Sequence, residues 1–547
     1  IDIPTFCHQP FVDPKGACRI CVVEVEKARS LMTACSTPAA EGMVIKTTSE
    51  RVDKARKVII ELLLANHSTY CPTCHARDKC TLLKYARRYG VEKVRFFGKR
   101  RDDEADTDME SIVHRDQSKC ILCGKCVEVC RQISGAEAID FKYRGFETQI
   151  GSAYDKKLWE TRCINCGQCV NGCPTGAIYV RSDVEEVQKE LRDPARKVIF
   201  QTAPSIRAAL GEEFGLPAGT IVTGKMVAAL KRLHPYKVFQ TDFGADLTIM
   251  EEGSEFIRRF TENDHIPMFT SCCPAWQKYI EHWYPDLLAN LSSCKSPQQM
   301  TGSIVKNWYA KEMGLTREEI TVVSIMPCSA KKWEITRPGC CVDQLADVDF
   351  VLTTRELADL LKANNIDLIS LPEENYDDII GEGTGAAEIF AVTGGVMEAA
   401  LRTVVEILEK KSLPKPDFVE VRGLQGVKEA TLEVAGHQVN LLVVSGLANA
   451  IPFLDDIRKG KSKYHFIEIM NCPGGCINGG GMPFYEKMET VEKRYKAIMD
   501  DDKQMKVRKS HENQAIQKLY KEFLGEPNGH KSHQLLHTPY VDRSDVV

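Results

Sequence analysis

Two cysteine runs, Cys120-x2-Cys123-x2-Cys126-x3-Cys130 and Cys163-x2-Cys166-x2-Cys169-x3-Cys173-Pro174, set the chemistry of this chain. Thiolates are soft anionic donors that stabilise iron at both oxidation levels of a cluster. In paired runs of this kind, three close cysteines and the fourth cysteine of the other run serve one four-iron cubane. The spacing predicts Cys120, Cys123, Cys126 and Cys173 around one cubane, with Cys163, Cys166, Cys169 and Cys130 around a second. Two zinc ribbons need no repeated triplet followed by Cys-Pro, so iron is favoured over zinc. Two more sets lie upstream. Cys7-x10-Cys18-x2-Cys21-x13-Cys35 suits zinc or a binuclear iron–sulfur centre. His67-x3-Cys71-x2-Cys74-x5-Cys80 suits zinc or a cubane with one histidine ligand. Beside the paired runs the iron–sulfur readings are preferred, giving one 2Fe-2S and three accessory 4Fe-4S centres. His75 is assigned to the surface or to the surroundings of the ligands. Such clusters pass single electrons, so the first third of the chain reads as a conduit to chemistry further on.

Short elements must hold these loops. Arg51 to Ala65, RVDKARKVIIELLLA, reads as an amphipathic helix that delivers His67 and Cys71 just past its C-terminus. Each cysteine repeat ends near a short extended segment, Ala138-Ile139-Asp140-Phe141 and Ala177-Ile178-Tyr179-Val180, as a duplicated unit would. The charged stretch Lys99 to Asp108 reads as a linker. After Asp193-Pro194 the pattern changes. Lys197-Val198-Ile199-Phe200, Lys237-Val238-Phe239, Thr321-Val322-Val323-Ser324-Ile325 and Leu441-Leu442-Val443-Val444 read as buried strands. Helical patterns at Gly224–Leu233, Arg355–Ala363 and Val396–Glu409 alternate with them, which predicts layered α/β architecture with parallel strands. Cys328 and Cys472 fall just after strands, where such folds place their chemistry. The predicted fold class is multidomain α/β. A 2Fe-2S domain is expected at 1–50, a His/Cys3 4Fe-4S domain at 51–100, a two-cubane ferredoxin domain at 110–190 and an α/β catalytic domain at 195–547.

The chain has 547 residues, a formal charge of −4 and 23 cysteines. That length buries a large core, and the charge argues against nucleic acid as a partner. No apolar run approaches a membrane span. Cysteines at cluster spacing in so large a chain point to a reducing compartment, the cytoplasm, rather than to a disulfide scaffold. The chain starts Ile1-Asp2-Ile3 without an initiator methionine and meets Cys7 almost at once, so the first domain is expected to be truncated. Gly219-Thr-Ile-Val-Thr-Gly224-Lys225 has phosphate-loop spacing, but Met226 stands where Ser or Thr should bind magnesium; a helix start is expected instead. Gly381-x-Gly383-x-Gly385 does not complete a dinucleotide fingerprint, because Ala386 follows.

Three later segments carry a resemblance: Thr270-Ser271-Cys272-Cys273-Pro274-Ala275-Trp276, Met326-Pro327-Cys328-Ser329-Ala330-Lys331-Lys332-Trp333-Glu334, and Cys472-Pro473-Gly474-Gly475-Cys476-Ile477-Asn478-Gly479-Gly480-Gly481. Together they resemble the signatures of the [FeFe]-hydrogenases, and the likeness runs over nearly the whole chain. Within that family the chain is most similar to catalytic subunits of NADP-reducing complexes, and next to large monomeric clostridial-type enzymes. The resemblance implies a two-lobed catalytic domain and the reaction 2H⁺ + 2e⁻ ⇌ H₂. It implies that Cys273, Cys328, Cys472 and Cys476 hold the cubane of an H-cluster. Cys476 would bridge to a diiron centre bearing carbon monoxide, cyanide and an azadithiolate. Lys331 would donate to one cyanide, Pro204 and Ser205 would surround the other, and Gln298, Met326, Phe390 and Met470 would complete the pocket. A proton path through Cys272, Glu252, Ser292, Glu255 and Arg259 is implied as well. The spacing of Glu252, Glu255 and Arg259 at i, i+3 and i+7 places them along one helix face, although a solvated face would show the same spacing.

The implied partners are H₂ and protons, maturation proteins, and ferredoxin, flavin- and NAD(P)-binding subunits, or both. A self-contained ferredoxin-linked enzyme and a hydrogen sensor are the alternative readings. The sequence departs from the family pattern at Ser329, Ala391, Asn471 and Met482, none of which is an expected ligand. Cys294 is expected to be a small buried residue, while Cys340 and Cys341 have no assigned role.

Overall fold

The computed structural model describes residues 2–68, 70–98, 110–377, 383–485 and 487–546. The expected linker at 99–108 and Gly381 lie outside the described residues. Backbone contacts divide the chain into two compact units, Ile1–Cys163 with Gly167–Arg181, and Ile164–Cys166 with Ser182–Val547.

The first unit is built from short elements around cysteine loops. Val22–Val25 pairs antiparallel with both Met32–Thr33 and Ile45–Lys46. The Glu50–Ala65 helix starts at Ser49, whose hydroxyl accepts from the Val52 N–H at 3.3 Å. That helix is tied to the sheet by the buried Arg56 guanidinium, which donates to the Val22 carbonyl at 2.8 Å. His67 follows its end as the sequence predicts. In the two-repeat region, Val113–Arg115 pairs with Ile178–Val180, and Asp140–Lys142 with Gln149–Gly151. The first strand of one repeat thus pairs with the last strand of the other, so a duplicated sequence gives an exchanged pairing. The first helix of this region is Lys125–Gln132 and the second Gln168–Gly172.

The second unit has two four-stranded sheets with separate cores. In one, Phe350–Thr353, Ile320–Met326, Lys197–Thr202 and Lys237–Gln240 lie side by side, all parallel. Every residue of Ile320–Met326 is buried, as expected of a central strand covered on both faces. In the other, Met268–Phe269, Phe466–Met470 and His437–Ser445 are parallel, but Val427–Val434 joins antiparallel. Leu441–Val444 is therefore a strand, as expected, yet in a mixed sheet. The cause is a two-residue turn at Ala435 and Gly436, whose φ angles of 48° and 81° suit a tight hairpin.

The helices Thr223–Lys231, Thr354–Ala363 and Gly395–Glu409 match the predicted ones within two residues at either end. The Asp242–Glu262 helix serves both lobes: Phe243 and Leu247 enter the first core, Ala245, Ile249 and Phe256 the second. It approaches the Pro297–Ile304 helix so closely that a Cβ on Gly244 would sit 2.3 Å from the Pro297 carbonyl. At the phosphate-loop look-alike, Lys225 donates to the carbonyls of Ile369 and Leu371 at 2.6 and 3.0 Å, and the expected helix start is observed.

Candidate active site

Sequence-distant cysteines converge where parallel strands end. Cys273 follows Met268–Phe269 and caps the Pro274–Trp283 helix; Cys328 follows Ile320–Met326; Cys472 follows Phe466–Met470. Cys476 is reached by a turn through Gly474 and Gly475 at φ 83° and 96°. A side chain at Gly475 would meet the Thr393 N–H at 2.5 Å, so this turn needs glycine for both dihedral and space. Burial raises the Cys476 thiol to about 12 and the Cys472 thiol well above its usual range, and in each case neighbouring cysteines add to the effect. Four thiols that discourage one another's ionisation are a poor arrangement for bare protein. They fit a site in which iron takes up the thiolate charge. Cys166, which belongs to this same unit, raises Cys328 and Cys472 further. Asn165 beside it accepts from the Ser329 hydroxyl at 2.7 Å.

The surrounding polar groups are arranged on a carboxylate that sequence reasoning did not single out. Glu334 accepts from Lys331 at 2.9 Å, Gln298 at 3.0 Å and Ser296 at 2.8 Å. Lys331 also donates to the Cys272 carbonyl at 3.2 Å. Burial alone would lower the Lys331 ammonium, but Glu334, Cys272 and Cys328 bring it above its ordinary value. A cation is thus held in place beside the cysteines. Pro204, Ser205, Met326, Phe390 and Met470 are buried in the same unit. Ser205 Oγ, Gln298 Oε1 and Glu334 Oε1 have no hydrogen-bond partner among the described residues. Buried polar atoms rarely stay unmatched, so these suit a site that receives a further polar group. The donor set, four cysteines with one lysine and a serine hydroxyl, fits an anionic iron centre. The signal for Glu334 was its i+3 position from Lys331.

Glu252, Glu255 and Arg259 line the Asp242–Glu262 helix at 0, 4 and 7 % exposure, which removes the solvated-face alternative. Arg259 donates to Glu255 at 2.7 Å, and Ser292 donates to the other Glu255 oxygen at 2.7 Å. Glu252 accepts from the Ser271 N–H at 3.2 Å, directly before Cys272. Burial, reinforced by Glu255, raises Glu252 to about 8, while the Ser271 N–H and the Ser292 hydroxyl offset part of the rise. Cys272 is raised by burial and then by Glu252. A thiol thus lies near a carboxyl that keeps its proton at neutral pH, and beyond it a hydroxyl and a guanidinium are hydrogen-bonded to a second carboxyl.

In the first unit the cysteine sets also gather. The Cys21 and Cys35 sulfurs lie 3.4 Å apart, and Cys7 and Cys18 are close enough to shift each other. His67, Cys71, Cys74 and Cys80 line one cavity of about 240 Å³. Burial lowers His67 to about 4, which keeps its imidazole neutral and suited to ligation. Cys120, Cys123, Cys126 and Cys173 line a single pocket, the grouping across repeats that the spacing predicts. Cys130, Cys163 and Cys169 pack against the same apolar core. His75 is exposed, 3.1 Å from the Gly176 carbonyl.

Residues 196–480 match the family described as "Iron only hydrogenase large subunit, C-terminal domain". The NADP-reducing hydrogenase subunit HndD of Solidesulfovibrio fructosivorans is 46% identical over 99% of this chain and 94% of its own. The chain belongs to the [FeFe]-hydrogenases. Iron hydrogenase 1 of Clostridium pasteurianum is 40% identical over 96% of this chain and 92% of its own. A solved [FeFe]-hydrogenase HydA1 structure from Chlamydomonas reinhardtii superposes with a TM-score of 0.60 at 40% identity, covering 66% of this chain and 99% of that one. Residues 488–543 match "Iron hydrogenase small subunit". Upstream, residues 1–50 match a "2Fe-2S iron-sulfur cluster binding domain". Residues 56–95 match the "NADH-ubiquinone oxidoreductase-G iron-sulfur binding region", and 119–177 a "4Fe-4S dicluster domain". This hydrogenase is thus an oxidoreductase that interconverts protons and H₂ at an H-cluster, with 2Fe-2S and 4Fe-4S centres relaying electrons. Among the described residues no helix is long and apolar enough to cross a membrane.

Proposed function

We propose that Cys273, Cys328, Cys472 and Cys476 hold the H-cluster cubane, and that Cys272, Glu252, Ser292, Glu255 and Arg259 carry protons to it. The observation supporting this reading is the buried carboxyl–hydroxyl–carboxyl row that ends beside Cys272. When bound, the diiron centre supplies the electronic chemistry of making and splitting H₂. The chain's own residues do the rest. Lys331, fixed by Glu334, offers its ammonium to an anionic ligand. Ser205 and Gln298 add polar contacts, and Met326, Phe390, Met470 and Pro204 exclude water. Glu252 at a pKa of about 8 can take or give a proton near neutral pH, which matches a relay running in both directions. Cys272 passes that proton on. The accessory ligands follow the sequence sets, with domains near 1–50, 51–100, 110–190 and 195–547.

Electrons are exchanged with flavin- and NAD(P)-binding partner subunits in the cytoplasm. The likeness to the NADP-reducing subunit over nearly its whole length supports this partner over ferredoxin alone. The test is anaerobic H₂-driven reduction of NADP⁺ or NAD⁺ by material pulled from the native host on a tagged chain, against ferredoxin reduction by the isolated chain. Flavin-bearing subunits that co-purify and complete nicotinamide reduction are expected. Full turnover with ferredoxin and an isolated monomer would replace this partner with the self-contained reading.

A further inference from the structure

The hydrogen bonds around Glu255 do not all run along the Arg259 row. Glu255 also accepts from Ser293, through the backbone N–H at 3.1 Å and the hydroxyl at 3.3 Å. The same hydroxyl lies 2.8 Å from His537 Nδ1. On the far side of that ring, Nε2 lies 3.1 Å from Glu251 Oε2. Glu251 is fully buried and accepts further bonds from Tyr520, Ser532 and the Asn528 N–H. Burial would raise its carboxyl, but His537, Ser532 and Tyr520 together hold it below its ordinary value. An ionised carboxylate only accepts, so His537 Nε2 carries a proton. Nδ1 is left to accept from Ser293 or to hold a second proton.

We propose that His537 is a proton-loading residue of this hydrogenase, storing one proton on Nδ1 and exchanging it with Glu255 through the Ser293 hydroxyl. The proposal rests on the relay reading above. On loading, a protonated Glu255 passes its proton to Ser293 Oγ as Ser293 passes its own hydroxyl proton to Nδ1. Glu255 ends as a carboxylate, Ser293 is unchanged, and His537 is an imidazolium facing the Glu251 carboxylate. Discharge reverses both hops and moves no electron. Each H₂ takes two protons, whereas the row through Glu252 passes them singly, so a charged store one hydroxyl away supplies the second without a fresh journey from water. The store comes from the segment that matches the small subunit of the family, and the row it feeds from the large-subunit segment.

The titratable and charged groups around His537 are few. Glu251 and its donor Tyr520 face Nε2; Glu255 with its partner Arg259 faces Nδ1 through Ser293. Cys294 lies against the His537 backbone in an antiparallel bridge, and Tyr540 donates to the Ser292 carbonyl at 2.5 Å. The exposed His533 ring stacks on His537 at 4.0 Å between centroids, and burial, then His537, with Arg258 a smaller influence, lower its imidazole.

The test uses the full chain under anaerobic conditions with His537→Gln, Ser293→Ala and, as a control on the relay, Glu255→Gln. Hydrogen evolution from reduced viologen is followed against pH after diiron installation. In the chain without the diiron centre, labelled histidines are titrated by NMR. A drop in kcat on the order of tenfold is expected in both His537→Gln and Ser293→Ala, smaller than the roughly hundredfold or greater loss in Glu255→Gln. The viologen KM stays unchanged, the double variant is no worse than either single one, and the limb of the pH profile that follows histidine titration disappears. The NMR signal missing from His537→Gln should titrate over that same limb in the parent chain. Ser293→Ala leaves His537 and Glu251 in place, so it decides the matter if His537→Gln does not fold. A parental kcat and pH profile in Ser293→Ala, beside a collapsed Glu255→Gln, would overturn proton loading and leave the relay standing. Parental turnover in Glu255→Gln would overturn both.

Discussion

In the first unit, Cys120, Cys123 and Cys126 come from one loop and the first turn of the Lys125–Gln132 helix, and Cys173 joins from the other repeat. In the second, Cys273, Cys328 and Cys472 each follow a different parallel strand, drawn from two sheets. The contrast extends to what lies around the sulfur. The accessory sites are loops over small apolar cores. The catalytic site is surrounded by buried ionisable groups: Lys331 against Glu334, Arg259 against Glu255, and the protonated carboxyl of Glu252. A local sequence motif is enough to gather thiols for electron transfer. Holding a buried row of carboxyls and a guanidinium next to thiols requires that a whole α/β fold close around groups it would not otherwise bury.

That contrast can be broken most severely at the strand ends. Cys328→Ser or Cys472→Ser should abolish H₂ turnover while the accessory iron, counted by metal analysis and electron paramagnetic resonance, stays bound. Cys173→Ser should do the reverse, losing one accessory cubane while keeping viologen-driven turnover. Next in size is the charge beside the cysteines. Glu334→Ala strands the Lys331 ammonium in a buried site, and a loss of about 3 kcal/mol of unfolding free energy is expected from denaturant titration. Glu334→Gln, which still accepts from Gln298 and Ser296, should lose less.

The third effect is in pH. Glu252 is raised to about 8 in the folded chain by burial and Glu255, against an unfolded value of about 4.3. The folded state therefore holds an extra proton between those values. This group's contribution is most favourable below the window, declines as pH rises through it and levels off above pH 8. Glu252→Gln should remove that slope, so its Tm gains on the parent from acid toward pH 8. The smallest effect belongs to Asn471. Its amide reaches Cys472 Sγ only at 3.7 Å, and its Oδ1 has no partner among the described residues. Asn471→Ala should shift stability by about 1 kcal/mol or less.

The two regions also differ in how far they can be read from sequence. Cluster spacing made the accessory thiol sets legible because their members are neighbours in the chain. Strand patterns such as Thr321–Ile325 were visible because continuous burial selects branched apolar residues. The second sheet was seen only in part, since the Ala435–Gly436 turn that reverses one strand hides among polar residues. Glu252, Glu255 and Arg259 showed their helical spacing but not their burial, which depends on helices and loops from elsewhere in the unit. Glu334, Ser293 and His537 escaped notice for the same reason. Ser293 and His537 are 244 positions apart, and no periodicity joins them.

The most direct test of the account is anaerobic hydrogen evolution from reduced viologen by Cys272→Ala. The accessory clusters should first be reconstituted and the synthetic diiron cofactor verified by infrared spectroscopy. If the buried row serves the site through Cys272, turnover falls by about a hundredfold or more with the diiron bands intact. Parental turnover in that loaded variant would contradict the proton route.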